Sequence, residues 1–116
     1  MGEAENSSGL VQGTLDMLIL RTLALEPMHG YGIGMRLEQI SRGALRVNAG
    51  SLVPAFRRLE RDGEIGAEWR VTENGRRAKY YSLTNRGRET LAKTTREWQR
   101  QTTAISRVLK ASLGEL

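Results

Sequence analysis

The apolar residues Leu15, Leu18, Ile19 and Leu23 recur at i, i+3, i+4 and i+8, the spacing of one face of a helix from Leu15 to Leu25. Met17, Leu20, Ala24 and Leu25 add apolar surface off that stripe, so this helix is expected to be covered on more than one side, the second side by another subunit. Thr14 stands at the N-cap position, and Asp16 in the first turn complements the helix dipole. Pro27 stops the helix. Met28-His29-Gly30-Tyr31-Gly32 reads as a turn, and a second helix runs on to about Ile40 with Ile33, Leu37 and Ile40 on one face. Ser41-Arg42-Gly43 ends it, and Ala44 to Val47 is long enough only for a small third strand pairing with a later hairpin.

From Gly50 to Arg61, Leu52, Phe56 and Leu59 fall at i, i+4 and i+7 and make the inward face of a third helix. Ser51, Ala55, Arg57, Arg58 and Arg61 lie elsewhere on its circumference. Pro54 has no N–H for the Gly50 carbonyl, so either Asn48 to Ser51 form a loose first turn or the regular helix begins near Ser51. Asp62-Gly63 ends it, and alternation takes over. Ile65, Ala67, Trp69 and Val71 alternate with Glu64, Gly66, Glu68 and Arg70, predicting a strand Glu64–Val71 with one dry face. A second strand, Ala78–Leu83, carries Tyr81 and Leu83 on the face opposite Tyr80. Between them lies the polar, basic tip Thr72-Glu73-Asn74-Gly75-Arg76-Arg77, in which Asn74-Gly75 is a strong hairpin signal.

Thr84 then reads as the N-cap of a long helix from Asn85 to about Ser112. Its seam, Leu91, Thr95, Trp98, Thr102, Ile105 and Leu109, alternates steps of four and three, as a helix packing lengthwise on another requires. Such a helix is roughly 40 Å long, too long to bury its seam on so small a domain, so a partner subunit is the economical reading. The dimer contacts are therefore assigned to Leu15, Leu18 and Ile19 of the first helix and to Leu91, Trp98, Ile105 and Leu109 of the last.

These elements predict a mainly α fold with a small β-hairpin: a flexible tail over residues 1–12, a winged helix-turn-helix over residues 13–84 and a C-terminal dimerisation helix over residues 85–116. A length of 116 residues holds one compact domain and one appended helix. The formal charge of +5 favours polyanionic partners. No cysteine is present, which removes disulfides, thiolate nucleophiles and thiolate metal sites and fits a reducing cytoplasm. Residues 1–12 contain two glutamates and no lysine or arginine, unlike a secretory signal, and no apolar run is long enough to span a bilayer.

A helix that fits a major groove, joined by a three-residue turn to a basic hairpin, is suited to duplex DNA. The candidate contacts are Asn48, Gly50, Ser51, Pro54, Arg57 and Arg58 on the third helix, Asn74, Arg76, Arg77 and Lys79 on the hairpin, and Tyr31 at the second helix. Taken singly, the helix could equally be amphipathic with a solvated basic face, and the tip a soluble turn whose charges block edge pairing. The alternative for the whole chain is a winged-helix protein-interaction module without specific DNA binding.

His29 is the only histidine and reads as a turn or capping residue; with no cysteine, no histidine-based metal site or triad can be assembled. Gly30-x-Gly32-x-Gly34 lacks the strand and register of a dinucleotide loop. No catalytic constellation and no cofactor site is found. Trp98 is read first as an interface aromatic and second as one wall of a pocket for a flat apolar ligand.

The chain resembles the PadR-type transcriptional regulators of bacteria from about Leu15 to Leu109. The carriers are Leu15-Asp16-Met17-Leu18-Ile19-Leu20, Met28-His29-Gly30-Tyr31-Gly32-Ile33, Gly50-Ser51-Leu52-Val53-Pro54-Ala55, Arg58-Leu59-Glu60, Asp62-Gly63 and Arg77-Ala78-Lys79-Tyr80-Tyr81-Ser82-Leu83-Thr84 followed by Gly87. The resemblance implies a winged helix-turn-helix homodimer clasped through the first and last helices, with the third helix of each subunit in the major groove of a pseudo-palindromic operator. It further implies repression relieved, in many members, by a phenolic acid or another small aromatic effector. Where the family usually has tyrosine on the DNA-facing helix this chain has Val53, which cannot donate a hydrogen bond to phosphate or base.

Overall fold

The computed structural model describes residues 7–8 and 14–115. Helix α1 (Leu15–Leu25) starts and ends where its periodicity places it. Thr14 occupies the N-cap position without a side-chain capping bond to the helix. Ile19, Leu20, Thr22 and Leu23 are buried, and the Thr22 hydroxyl donates to the Leu18 carbonyl (2.8 Å), which satisfies that buried polar group.

The stretch expected to be a turn divides into strand and helix. Met28–His29 form a short strand, β2, and α2 follows at once over Gly30–Ile40. His29 is the cap: its Nδ1 accepts the Gly32 amide at 3.1 Å, so the histidine serves the helix start. Ile33 and Leu37 face the core, but Ile40 is exposed, because α2 ends beyond the edge of the core. A Cβ on Gly30 would come 2.8 Å from the Phe56 ring, which is why the start of α2 can lie so close to the third helix.

Arg46–Val47 form a strand, β3, but it does not join the hairpin. It pairs antiparallel with Ser7–Ser8, which we label β1, in the register Ser7↔Val47 and Ser8↔Arg46. Of the stretch expected to be a flexible tail, β1 is therefore ordered into a strand, and the rest of that expectation lies outside the described residues. The third strand of the hairpin sheet is β2 instead.

The third helix, α3, spans Ala49–Arg61 with Asn48 as cap, so the first turn before Pro54 is regular. Asn48 Oδ1 accepts the Ser51 amide at 3.0 Å. Leu52, Phe56 and Leu59 are buried as expected, and Ala55 is fully buried with them, a core residue rather than a small residue on the outward face. Strands β4 (Ile65–Val71) and β5 (Arg77–Leu83) pair from Ile65↔Leu83 to Val71↔Arg77, and β2 adds to β5 through Met28↔Tyr81 and His29↔Tyr80. The sheet order is β2-β5-β4.

Helix α4 spans Asn85–Lys110. Thr84 Oγ1 accepts the Gly87 amide (3.0 Å) and donates to the Gly63 carbonyl (2.7 Å), so one hydroxyl caps α4 and fastens it to the turn after α3. The first half of α4 packs on α1, and Leu91 lies against the core. The second half projects: Ile105, Val108 and Leu109 are 55%, 74% and 80% exposed. The chain measures 65 × 30 × 24 Å with a radius of gyration of 16.6 Å, against about 13 Å for a compact domain of this length.

This packing removes one expected dimer contact, Ile19. Helix α1 packs on α2, β5 and α4 of the same chain, while Leu25 stays 47% exposed. Ile19 is wholly buried in its own core and has no surface to offer a partner, while Leu15 and Leu18 are half-buried against that core.

Candidate nucleic-acid interface

The outward face of α3 is set by helical spacing opposite the stripe Leu52, Ala55, Phe56 and Leu59. Gly50, Val53, Pro54, Arg57 and Arg61 are exposed there. Asn48 stands just before the first turn, but its carbonyl oxygen is spent on the cap, leaving its amide N–H groups as the donors that could face a ligand. Ser51 is half-buried on the flank. Arg58 is turned away from that face, with its Nη2 lying 2.8 Å from Asp16 Oδ1, and ties α3 to the first turn of α1. Of the two adjacent arginines, Arg57 remains on the outward side.

The hairpin meets this helix partway along its length. Lys79 Nζ on β5 lies 3.2 Å from Glu60 Oε1 on α3, and Arg57, Glu60 and Lys79 all act on the Tyr81 phenol. Burial pushes that phenol above the usual tyrosine range, with Lys79 lowering it, Glu60 raising it and Arg57 lowering it. The tip is not the two-residue turn that Asn-Gly most often makes. Thr72 carbonyl accepts the Gly75 amide (2.9 Å), Thr72 N–H donates to the Arg76 carbonyl (2.7 Å), and only Gly75 has positive φ (77°). This is a three-residue loop closed by a glycine in the left-handed region, and it presents Asn74, Arg76 and Arg77 to solvent.

The expected dry face of β4 is dry only at its base. Ile65 is buried, whereas Trp69 and Val71 are 58% and 71% exposed because the hairpin runs past the core. Cross-strand register puts Trp69 beside Lys79 and Val71 beside Arg77 on one face, and the Arg77 guanidinium lies 5.1 Å from the Trp69 ring centroid. Trp69 is thus a surface residue of the basic hairpin that its alternation alone assigned to the core. The signal for it was the pairing: its opposite strand is basic at each of the outer positions.

Tyr31 is 76% exposed in the first turn of α2, stacked 6.3 Å from His29, which in turn meets Tyr80 edge-on at 5.6 Å. A groove of about 490 Å³ runs between α2 and the start of α3, lined by Tyr31, Met35, Val47, Asn48 and Val53. Tyr31 and Asn48 thus line this groove, Gly50, Pro54 and Arg57 lie on the outward face of α3, Lys79 pairs with Glu60 of that helix, and Asn74, Arg76 and Arg77 stand at the hairpin tip.

Trp98 lies apart from that surface. It is half-buried on α4 and lines a separate groove of about 480 Å³ with Met17, Leu20, Asp16, Asp62, Glu64 and Glu97. Among the described residues there is no cluster of three or more acidic or histidine side chains able to hold a metal, and no helix is long and apolar enough to cross a membrane.

A protein from Lysinibacillus sphaericus known as uncharacterized protein X is 29% identical over 91 residues, covering 78% of this chain and 84% of its own. Among solved structures, a transcriptional regulator from Clostridium thermocellum superposes with a TM-score of 0.78 at 26% identity, over 85% of this chain and 96% of that one. A PadR-like transcriptional regulator from Bacillus cereus gives 0.76 at 25% identity over 87% and 96%. A PadR family transcriptional regulator from Eggerthella lenta gives 0.76 at 30% identity over 87% and 86%. The signature of the transcriptional regulator PadR-like family matches residues 19–93, which include α2, α3, the hairpin and the start of α4. With its winged helix-turn-helix followed by one long helix, the chain belongs to the PadR-like family of transcriptional regulators.

Proposed function

We propose that the chain acts as a homodimeric repressor that sets α3 of each subunit into successive major grooves of a pseudo-palindromic operator, with the hairpin tips alongside. One observation carries this reading: the outward face of α3, with Arg57 and Arg61, is joined through Lys79 and Glu60 to a hairpin that exposes Arg76 and Arg77. A groove-sized helix and a basic tip on the hairpin that follows it suit the phosphate contacts that position a protein and the base contacts that specify its site. The twofold arrangement is supported by α4, whose outer half leaves Ile105, Val108 and Leu109 uncovered within one chain. A second α4 packed lengthwise on that seam covers them. Such a regulator works in the bacterial cytoplasm, where its DNA lies.

A small aromatic effector fits the Trp98 groove, where the indole offers a face for stacking. Its acidic lining narrows the chemistry. Asp16 and Asp62 are paired with Arg58 and Arg61, so Glu64 and Glu97 are the carboxylates that disfavour the acid group of a phenolic acid and favour a neutral or cationic planar compound.

The test of the DNA reading is duplex binding as a function of salt. Replacing both tip arginines, Arg76→Ala with Arg77→Ala, is expected to weaken binding on all duplexes and to lower the slope of log affinity against log salt by roughly one per lost phosphate contact. Unchanged affinity and slope in that variant would remove the hairpin from the interface. For the effector, titration with planar aromatics should quench Trp98 fluorescence and release DNA, and a compound set that does neither argues for regulation without a ligand.

A further inference from the structure

We propose that Val53 is a specificity-determining residue, and that it reads the C5-methyl group of a thymine in the major groove. This rests on α3 entering that groove as proposed above. Val53 lies in the second turn of α3, in the N-terminal half that meets base edges. It is 43% exposed, outside the core stripe of Leu52, Ala55, Phe56 and Leu59, none of which is more than 6% exposed. Gly50 three residues before it brings no side chain, so the backbone there can approach a base pair closely. Arg57, one turn on, is exposed on the same side.

A major groove presents donors and acceptors on every base pair but only one apolar group, the thymine methyl. Valine can neither donate nor accept a hydrogen bond. Set against a cytosine amino group or the guanine acceptors, it would strip water from a polar edge and return nothing. Set against a thymine methyl, it buries apolar surface on both partners. Its β-branch holds it essentially to one rotamer in a helix, so the two methyl groups are presented in a fixed direction. Tyr31 and Met35 across the adjoining groove add an apolar flank that helps exclude water from such a contact.

The experiment uses the 116-residue chain and duplexes it enriches from a random pool. Each thymine of the enriched site is then replaced by uracil, which deletes the C5-methyl and preserves pairing. One thymine in each half-site is expected to bind about fourfold more weakly as uracil, the effect of one buried methyl. Val53→Ala should lose most of that discrimination, so the two changes are non-additive. The variant should retain its thermal stability, since alanine is the better helix former at an exposed position. A wild-type protein that still selects its site but tolerates uracil everywhere overturns the Val53 inference and leaves groove insertion standing. So does a methyl effect that persists undiminished in Val53→Ala. Failure to enrich any duplex overturns both.

Discussion

The Arg58 guanidinium lies 2.8 Å from the Asp16 carboxylate, and this pair divides the labour of two adjacent arginines on α3. Arg58 holds the helix to the first turn of α1, and Arg57 is left on the outward face. Both partners of the pair are 40% or more exposed, so its contribution is that of a surface ion pair, about 0.2–1 kcal/mol. Arg58→Ala is expected to lower stability by no more than this and to weaken DNA binding little. Arg57→Ala is expected to weaken binding about tenfold or more, the loss of one charged hydrogen bond, with unfolding unchanged. Denaturant melts together with binding isotherms at a fixed salt concentration separate the two roles, and equal losses of affinity would refute the division.

Asn48 is the second residue whose role the structure alters. Because its carbonyl oxygen accepts the Ser51 amide, Asn48→Ala removes a helix cap at a cost of about 1 kcal/mol. Its loss of binding would therefore be confounded by loss of stability. Asn48→Asp is the informative variant. Aspartate caps as well as asparagine, so the melting temperature should hold, while the added negative charge beside phosphates should cut affinity. A variant that melts normally and binds normally would show that Asn48 serves the fold alone.

Gly87 illustrates how tightly the hairpin and α4 are joined. A Cβ there would collide with the Glu64 carbonyl oxygen and the Leu83 side chain. Glu64 is also the acceptor for the Thr84 amide and, through its carboxylate, for the Thr90 hydroxyl at 3.0 Å. Gly87→Ala should therefore destabilise the fold by about 1–3 kcal/mol through overpacking of the new methyl against the Glu64 backbone and the Leu83 side chain, read as a shift in denaturant midpoint with unchanged slope. Gly75→Ala, at the open hairpin tip where no atom lies within 4 Å of a Cβ, should show only the smaller cost of its positive φ.

These cases mark what could be read along the chain. Helix α1, the inward stripe of α3 and the existence of the long α4 follow from apolar spacing at helical period. The sheet was harder. Met28–His29 is a strand only because Tyr80 and Tyr81 lie beside it, and nothing local in a Gly-rich stretch announces a partner some fifty residues away. Alternation placed Trp69 and Val71 with Ile65, yet the core ends after the first rungs of the hairpin, and a pattern of period two cannot say where that happens. Ile19 failed as a dimer contact for a related reason: the stripe on α1 shows which residues seek cover but not whether the cover belongs to the same chain. At the site, the exposed cations of the tip were legible, whereas the private engagements of Arg58 and Asn48 depend on tertiary neighbours and capping geometry.

Tyr81 yields a pH prediction. Burial raises its phenol above the usual value of about 10, so the folded chain favours the neutral form. The stability this contributes is complete below the pKa of an unfolded tyrosine and is lost as pH rises through the raised value of the folded state. Unfolding free energy should thus be insensitive to Tyr81 at neutral pH and fall in alkali. Tyrosinate absorbance should show a step above the usual tyrosine range, and Tyr81→Phe should remove it.

The dimer hypothesis makes opposite demands on two sets of apolar residues. Ile105 and Leu109 contribute nothing to the core of a single chain, being 55% and 80% exposed on the projecting half of α4. Ile105→Glu with Leu109→Glu should therefore leave the domain folded, with the hairpin and α3 intact by near-ultraviolet circular dichroism of Trp69 and the tyrosines. It should convert a dimer to a monomer in sedimentation at micromolar concentration, because two charges would be buried unpaired in a lengthwise helix contact. Operator affinity should then fall steeply with dilution, as each α3 loses the effective concentration its twin supplied. Ile19→Ala should do the reverse: with that side chain wholly buried, it should cost about 2–5 kcal/mol of stability. Whatever protein remains folded should still be dimeric. A chain that sediments as a monomer before either change, yet binds its site with a sharp salt dependence, would mean that one α3 and one hairpin suffice and that the outer half of α4 serves another partner.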